Sequence, residues 1–571
     1  MTQSPTVAPA IVVLGRGSLP VAERLKDKLP GSRIHGLRSR TGGADEPFDD
    51  FGEHLRSLYL GNVPLIVMCA AGIVIRSIAP CLSNKRAEPP VLAVAEDGSA
   101  VVPLLGGLSG VNALARQLGD VLGIAPAITT TGEIRFRTTL LHPPAGYTLQ
   151  DPAVGKTFIS DLLAGARLRI EGDAPWIAET GLPVAEDGAL SVVVTERRIA
   201  TAPDRLVYHP RAVAIGVVPG DHMVDLTNHI RQCLEEADIA WDAVAGLFTA
   251  EAHIGVEAIH RAGQELGLPV RFLPMPAEAS AAEIVQAAVP SGPLRQTSSP
   301  GMALAVAAQP IDAATIGRGR GRLAVIGLGP GGKDWLSPEA KAELERASDF
   351  IGYVPYLDML GPLRPDQRRH PSDNREEEQR SKYAFDLAAQ GKSVAVISSG
   401  DPGIFAMATA ILETLHRHGD ASWHAVELCV MPGITAAQAA AARFGAPLGH
   451  DFCVLSLSDV LKPWKTIEER LMHAAQADLV IAIYNPISKF RPWQLERARD
   501  ILLQYRRPET PVLLGKDVTR PAERLQVSTL GELTAEMVDS RTVVIVGSSK
   551  TQRFAKFGDG EWVYTPRRYE P

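Results

Sequence analysis

The sequence predicts an α/β protein, and three observations carry that reading. Apolar runs of strand length recur along the chain, among them Leu323 to Ile326, Val394 to Ser398 and Leu479 to Ile483. Each of these is followed within two residues by glycine or asparagine, which places a turn at the carboxyl end of a buried strand. Segments between the runs carry helical patterns, and strands alternating with helices describe a sheet of parallel strands with a ligand crevice beyond their carboxyl ends.

The chain has 571 residues, enough for about four domains at roughly 150 residues each. A net charge of −7 with 45% apolar residues suits a globular protein and gives no reason to expect nucleic acid as a partner. No apolar run approaches the roughly 18 residues of a membrane span, and no charged and then apolar leader begins at Met1. The expectation is a cytoplasmic chain without a membrane partner. Five scattered cysteines, without C-x-x-C spacing or clustered histidines, predict reduced thiols and no metal site.

In chain order, strands are predicted at Ile11–Leu14, Leu65–Cys69, Val91–Ala95 and Val101–Leu105, with helices between them, as a first α/β domain over 1–134. A middle region follows over 135–210, closing at a break between Pro203 and Pro210. A further domain over 211–310 begins with the strand-like run Ala212 to Val217. The Ser, Gly and Pro content of Pro290–Pro300 and the run Gly317-Arg318-Gly319-Arg320-Gly321 mark the main boundary, with a linker at 311–321. Two lobes then follow, 322–430 and 431–571.

Four short motifs punctuate the last two lobes: Gly327-Leu328-Gly329-Pro330-Gly331-Gly332, Ser399-Gly400-Asp401-Pro402-Gly403-Ile404-Phe405, Pro432-Gly433-Ile434-Thr435-Ala436 and Tyr484-Asn485-Pro486. The first fits the G-x-G-x-x-G spacing of a dinucleotide loop. Pro330 and Lys333-Asp334-Trp335 nevertheless stand where a helix should begin, and the helix is expected only after Ser337 as N-cap and Pro338 at its first position. Asp349, about where a ribose-binding acid belongs, precedes an apolar stretch instead of ending one. Gly, Asp and Pro each favour ordinary tight turns, and Thr435 also reads as the N-cap of an alanine-rich helix.

Taken together, the four motifs, with Leu455-Ser456-Leu457-Ser458-Asp459 and Ser488-Lys489, make the region from about Gly321 onward resemble the tetrapyrrole methylase family. Within that family the segments are most similar to the branch that methylates carbon 17 of precorrin-3B, or of its cobalt-factor III counterpart. The resemblance implies a two-lobed methylase of αβα sandwiches, S-adenosylmethionine as cofactor, a precorrin as substrate and a homodimer. It also implies contraction of the macrocycle to precorrin-4 in cobalamin biosynthesis. It places the donor on Gly329, Pro330, Gly400, Asp401, Ile404, Phe405, Thr435, Ala436 and Tyr484. Tyr484, Asn485 and Asp459 become the candidate catalytic residues, with His450 as a further proton acceptor; His473, inside the helical pattern Ile467 to Ala477, is set aside as structural.

Methyl transfer from a sulfonium is an in-line displacement, which asks the protein mainly to hold donor and acceptor in near-attack geometry. A precorrin carries many carboxylates, so cationic groups are expected around an apolar cleft. Arg375 and Lys489 are the chosen substrate contacts. Arg368, Arg369 and His370, read as a loop, belong to the same basic group, as do Lys462, Arg491 and Arg520.

The N-terminal half has its own resemblance, carried by Ala71 to Pro80, Lys85 to Pro89, Leu104 to Asn112 and Thr129-Thr130-Thr131. These are similar to the N-terminal domain of cobalt-precorrin-5A hydrolase, and 211–310 is similar to that enzyme's C-terminal domain. Three departures stand out: Leu108 where a histidine is usual, Lys85-Arg86-Ala87-Glu88-Pro89 for a Lys-x-x-Asp-Pro pattern, and Val217-Val218-Pro219-Gly220-Asp221 for a Cys and Lys signature. The expectation is that 1–310 binds or channels a corrinoid without opening a lactone. The alternative is a bifunctional enzyme of the cobalt route whose N-terminal half retains hydrolysis.

Overall fold

The structure, a computed structural model, describes residues 8–568 apart from 83–87, 108, 131–134, 137–139, 142, 179, 291–292, 296–300, 332–334, 362, 365, 374–375, 489–491 and 559. The chain divides into two compact units. The first comprises Met1–Thr249, Ala258–Leu273 and Glu278–Ile316, and the second Ala250–Glu257, Pro274–Ala277 and Gly317–Pro571.

The first unit contains successive sheets. The earliest orders its strands Glu46–Phe48, Arg33–Leu37, Ala10–Val13, Leu65–Met68, Val91–Val94 and Val101–Leu105. All but the last pair are parallel. A second sheet joins Tyr147–Leu149, Arg205–Pro210, Leu190–Val194 and Leu168–Glu171. A third sheet has Val213–Val217 between Met302–Val306 and Val244–Ala250. Of the residues on which the hydrolase-like departures rest, Leu108 and 85–87 lie outside the described residues.

In the second unit, the N-terminal lobe is a five-stranded parallel sheet ordered Arg368–Ser372, Asp349–Tyr353, Ser393–Ser398, Arg322–Gly327 and Glu427–Met431. Side chains alternate across it, as the pleat requires. Leu323, Val325, Val394 and Val396 meet Phe385 and Ile411, from helices Glu377–Ala389 and Met407–His418. Ala324, Ile326, Ala395 and Ile397 pack on the opposite face with Ala340 and Leu357. Both faces are therefore covered, and the central strands Arg322–Gly327 and Ser393–Ser398 read as near-continuous apolar runs.

The C-terminal lobe orders Phe452–Ser456, Val480–Tyr484, Thr542–Val546, Pro511–Lys516 and Arg524–Thr529. Only its first pair is parallel. This corrects the expectation of parallel strands throughout. A continuous apolar run such as Val543 to Val546 reports burial on both faces and says nothing about strand direction. Helices Trp464–Gln476 and Gln494–Leu502 cover one face, and Ala436–Phe444 covers the other.

Two local expectations are met. Ser337 caps the Pro338–Arg346 helix by accepting from the Ala340 amide at 3.1 Å, with Pro338 at the first helical position. Among the described residues, the first α-helix after the glycine motif is this one, and it starts beyond the loop instead of directly on it, as expected. One is corrected: Arg368, Arg369 and His370 form an edge strand of the sheet, where Pro371 is tolerated because no ladder continues beyond it.

Candidate functional site

Strands Ser393–Ser398, Arg322–Gly327 and Glu427–Met431 are neighbours in the parallel sheet, so the three loops that follow them lie side by side at its carboxyl edge. Gly329 and Gly400 exchange both of their main-chain hydrogen bonds, the Gly329 amide to Gly400 O at 3.1 Å and the Gly400 amide to Gly329 O at 2.8 Å. Both residues have φ +67°, a conformation glycine adopts without strain. The third loop is tied in by Asp401, whose Oδ1 accepts from the Gly403 amide at 2.8 Å and whose Oδ2 accepts from the Gly433 amide at 3.1 Å.

A cavity of about 280 Å³ opens over these loops. Pro330, Gly400, Asp401, Ile404, Phe405, Thr435, Ala436, Tyr484 and Asn485 line it. Gly329 lies behind this wall through its pairing with Gly400. Phe405 is held at φ +53°, is 52% exposed, and its ring stands 5.6 Å from that of Tyr484 and 5.7 Å from Lys462 Nζ.

Tyr484 ends its strand beneath the helix Ala436–Phe444. Its hydroxyl hydrogen-bonds the Thr435 hydroxyl and accepts from the Ala437 amide at 2.8 Å. Thr435 holds the N-cap backbone position without capping through its own side chain. The phenol supplies an acceptor for one of the amides that a helix start leaves unsatisfied. Burial raises the Tyr484 phenol above its ordinary value, against the opposing hydrogen bonds from Thr435 and Ala437, so it stays protonated near neutrality. Asn485, at φ +50°, donates from its amide to Ser456 Oγ at 3.0 Å.

Asp459 does not line the cavity; its Oδ1 accepts from Gln494 Nε2 at 3.1 Å. The His370 ring meets Asp349 at 2.7 Å and Tyr383 at 3.0 Å, and Arg369 reaches Asp358 at 3.5 Å and Gly361 O. The side chains of Arg369 and His370 are thus occupied within their own lobe. His450 and His473 are also absent from the lining. Arg375, Lys489 and Arg491 lie outside the described residues.

Several lining groups escape a reading of the sequence: Tyr356, Glu377, Arg380, Asp517 and Arg541. Arg380 had one available signal. It falls in register with Ala384, Leu387 and Ala388 on the buried stripe of its helix, a charged residue where an apolar one belongs. Arg520, included among the basic candidates, does line the cavity.

The stretch Ser540–Thr542 closes another side and is organised by Asp539. That carboxylate takes Lys516 Nζ at 2.7 Å, the Arg541 amide at 2.9 Å and the Thr542 hydroxyl at 3.1 Å. Burial alone would raise the Asp539 carboxyl, but these donors outweigh it and hold it at about 2. A carboxyl depressed on folding stabilises above its unfolded pKa of about 3.9, and that contribution is lost as pH falls toward 2. Asp539→Asn is therefore expected to lower the denaturant midpoint at pH 7 and pH 5. The gap to wild type should close between about pH 4 and pH 2.

The fold and this site define an α/β protein with a cavity at the glycine-lined carboxyl edge of a parallel sheet, the place where such sheets take their ligands. Residues 322–534 match the Tetrapyrrole (Corrin/Porphyrin) Methylases, and residues 53–133 match the Cobalamin synthesis G N-terminal family. A relative from Sinorhizobium sp, Precorrin-3B C(17)-methyltransferase, is 51% identical over 249 residues, covering 44% of this chain and 97% of that protein. The Probable cobalt-factor III C(17)-methyltransferase of Salmonella typhimurium is 40% identical over 247 residues, covering 43% of this chain and 99% of that protein. Cobalamin biosynthesis protein CobIJ of Mycobacterium tuberculosis is 51% identical over 253 residues, covering 44% of this chain and 48% of that protein. The match thus spans about half the length of the mycobacterial relative and nearly all of the other two. The chain belongs to the tetrapyrrole methylase family.

Proposed function

We propose that the second unit transfers a methyl group from S-adenosylmethionine to carbon 17 of precorrin-3B, with contraction of the macrocycle to precorrin-4. The observation that carries this reading is the convergence of nine residues, drawn from all four sequence motifs, on one cavity at the sheet's carboxyl edge. The higher identity to the precorrin-3B enzyme than to the cobalt-factor III enzyme supports the metal-free substrate.

The residues present fit the cofactor. Gly400, at φ +67°, lines the cavity as bare main chain that a ligand can approach, and behind it Gly433 packs so closely that a Cβ there would overlap the Gly400 carbonyl. When bound, S-adenosylmethionine supplies a methyl group on a cationic sulfur. Asp401 keeps two of the loops in register through its two amide contacts, and Tyr484 and Thr435 hold the first turn of Ala436–Phe444. Asn485, fixed by Ser456, is the proposed contact for the acceptor. Asp459 is kept as the proposed proton acceptor for the contraction, and Arg375 and Lys489 as proposed carboxylate contacts. In solution the chain is proposed to be a cytoplasmic homodimer with no nucleic-acid or membrane partner. Among the described residues no helix is long and apolar enough to cross a membrane.

Calorimetric titration with S-adenosylhomocysteine tests the reading. Near-micromolar binding, about −8 kcal/mol, is expected for the wild-type chain. The Asp401→Ala, Thr435→Ala double variant should bind at least about tenfold more weakly, having lost charge-assisted contacts to two loop amides. No binding by folded wild-type protein would overturn the assignment.

A second reading is favoured by the match of residues 53–133: a bifunctional protein that also opens the lactone of cobalt-precorrin-5A. Incubating the full chain with that compound and assaying acetaldehyde separates the two. Sustained release supports the bifunctional reading; none is expected if the N-terminal half only binds or channels a corrinoid.

A further inference from the structure

The cavity carries two guanidinium groups whose described hydrogen-bond partners are all uncharged. Arg380 is 5% exposed. Its Nε donates to Ser372 Oγ at 2.7 Å, its Nη2 to Asp373 O at 2.5 Å and its Nη1 to the Met407 sulfur at 3.1 Å. Arg520 donates through Nε to Pro330 O at 2.8 Å, and through Nη2 to Ser399 Oγ at 3.3 Å and the Met359 sulfur at 3.8 Å. Among the described residues neither forms an ion pair within 4 Å. Thioether sulfur is a weak acceptor, and each guanidinium has five N–H groups to satisfy.

The negative charges of the same cavity are otherwise engaged. Both Asp401 oxygens accept main-chain amides, and Asp517 is paired with Arg541 at 3.0 Å. Glu377 also lines the cavity but is exposed to solvent; it, Glu376 and Asp373 act on Arg380 through the field, and none of them forms an ion pair with it among the described residues. Tyr356 lies within the field of both guanidiniums. A buried cation without a carboxylate partner is costly, and the usual resolution is an anion that arrives with the ligand.

Resting on the methyl-transfer reading above, we propose that Arg380 and Arg520 form a carboxylate-binding subsite of this cavity. Two sources share that chemistry: the amino-acid carboxylate of the methyl donor and an acidic side chain of the macrocycle. Arg380 is the specificity-determining member, because it is buried on a helix and fixed by three contacts.

The test uses the full chain and Arg380→Gln, with Arg520→Gln as a second variant. S-adenosylhomocysteine is compared with 5′-methylthioadenosine, which lacks the carboxylate. A loss of about tenfold or more in binding of the first, with the second unchanged within twofold, places the donor carboxylate on the subsite. Unchanged binding of both, with a tenfold higher KM for the tetrapyrrole and kcat within twofold, places a macrocycle carboxylate there. Equal weakening of both nucleosides would show a merely structural role and overturn the proposal, as would no change in any of these quantities. If wild-type protein binds neither nucleoside and methylates no tetrapyrrole, the function proposed above fails and the subsite fails with it.

Discussion

Gly433→Ala is expected to lower the free energy of unfolding by about 2–3 kcal/mol and to remove measurable binding of S-adenosylhomocysteine. The added methyl group would overlap the Gly400 carbonyl and stand 2.9 Å from that of Gly327. Both obstacles are main chain, so no side-chain rotation relieves them. The Pro432–Thr435 loop must then move away, which breaks the Gly433 amide's bond to Asp401 and opens the cavity wall. Denaturant unfolding and calorimetry on the same preparation check both effects. Wild-type binding in a stable Gly433→Ala protein would show that the loop packing is not needed by the ligand.

Tyr484→Phe carries the second large effect, and it separates two roles for the phenol. Without the hydroxyl, the Ala437 amide and the Thr435 hydroxyl lose their partner at a half-buried site. That loss costs about 1–3 kcal/mol of stability. Donor affinity should fall with it, because Thr435 and Ala436 line the cavity. The pH dependence of the residual kcat should match that of wild type, since a phenol raised by burial does not ionise across neutral pH. Disappearance of a limb of that profile in Tyr484→Phe would restore Tyr484 as the proton-transferring group.

The loops of the site were legible because the physics that builds them is local. Gly400 and Asn485 come just after buried apolar runs and Gly433 just after the mostly apolar edge strand Glu427–Met431, and such positions mark chain reversals at the edge of a sheet. What escaped depends on partners distant along the chain. The link between Thr435 and Tyr484 joins residues 49 apart, and nothing near either residue announces it. Asp459 carries the right chemistry, yet it sits in a loop and its partner Gln494 belongs to a helix distant along the chain. Arg33–Leu37 and Glu46–Phe48 form strands despite Gly36 and Pro47, which weaken any strand signal, because neighbouring strands supply the ladder. Arg368–Ser372, with three basic residues and a proline, carries almost no strand signal and is an edge strand through pairing alone. The mixed direction of the C-terminal sheet was equally out of reach, since burial on both faces erases the pattern that would distinguish parallel from antiparallel neighbours.

The reciprocal hydrogen bonds between Gly329 and Gly400 link the mobility of two loops that leave different strands. Each glycine is at once donor and acceptor to the other, so neither amide is released to solvent unless both are. Opening of this edge of the cavity is therefore a single cooperative event instead of two independent loop fluctuations, and protection of these two amides from solvent exchange rises and falls together.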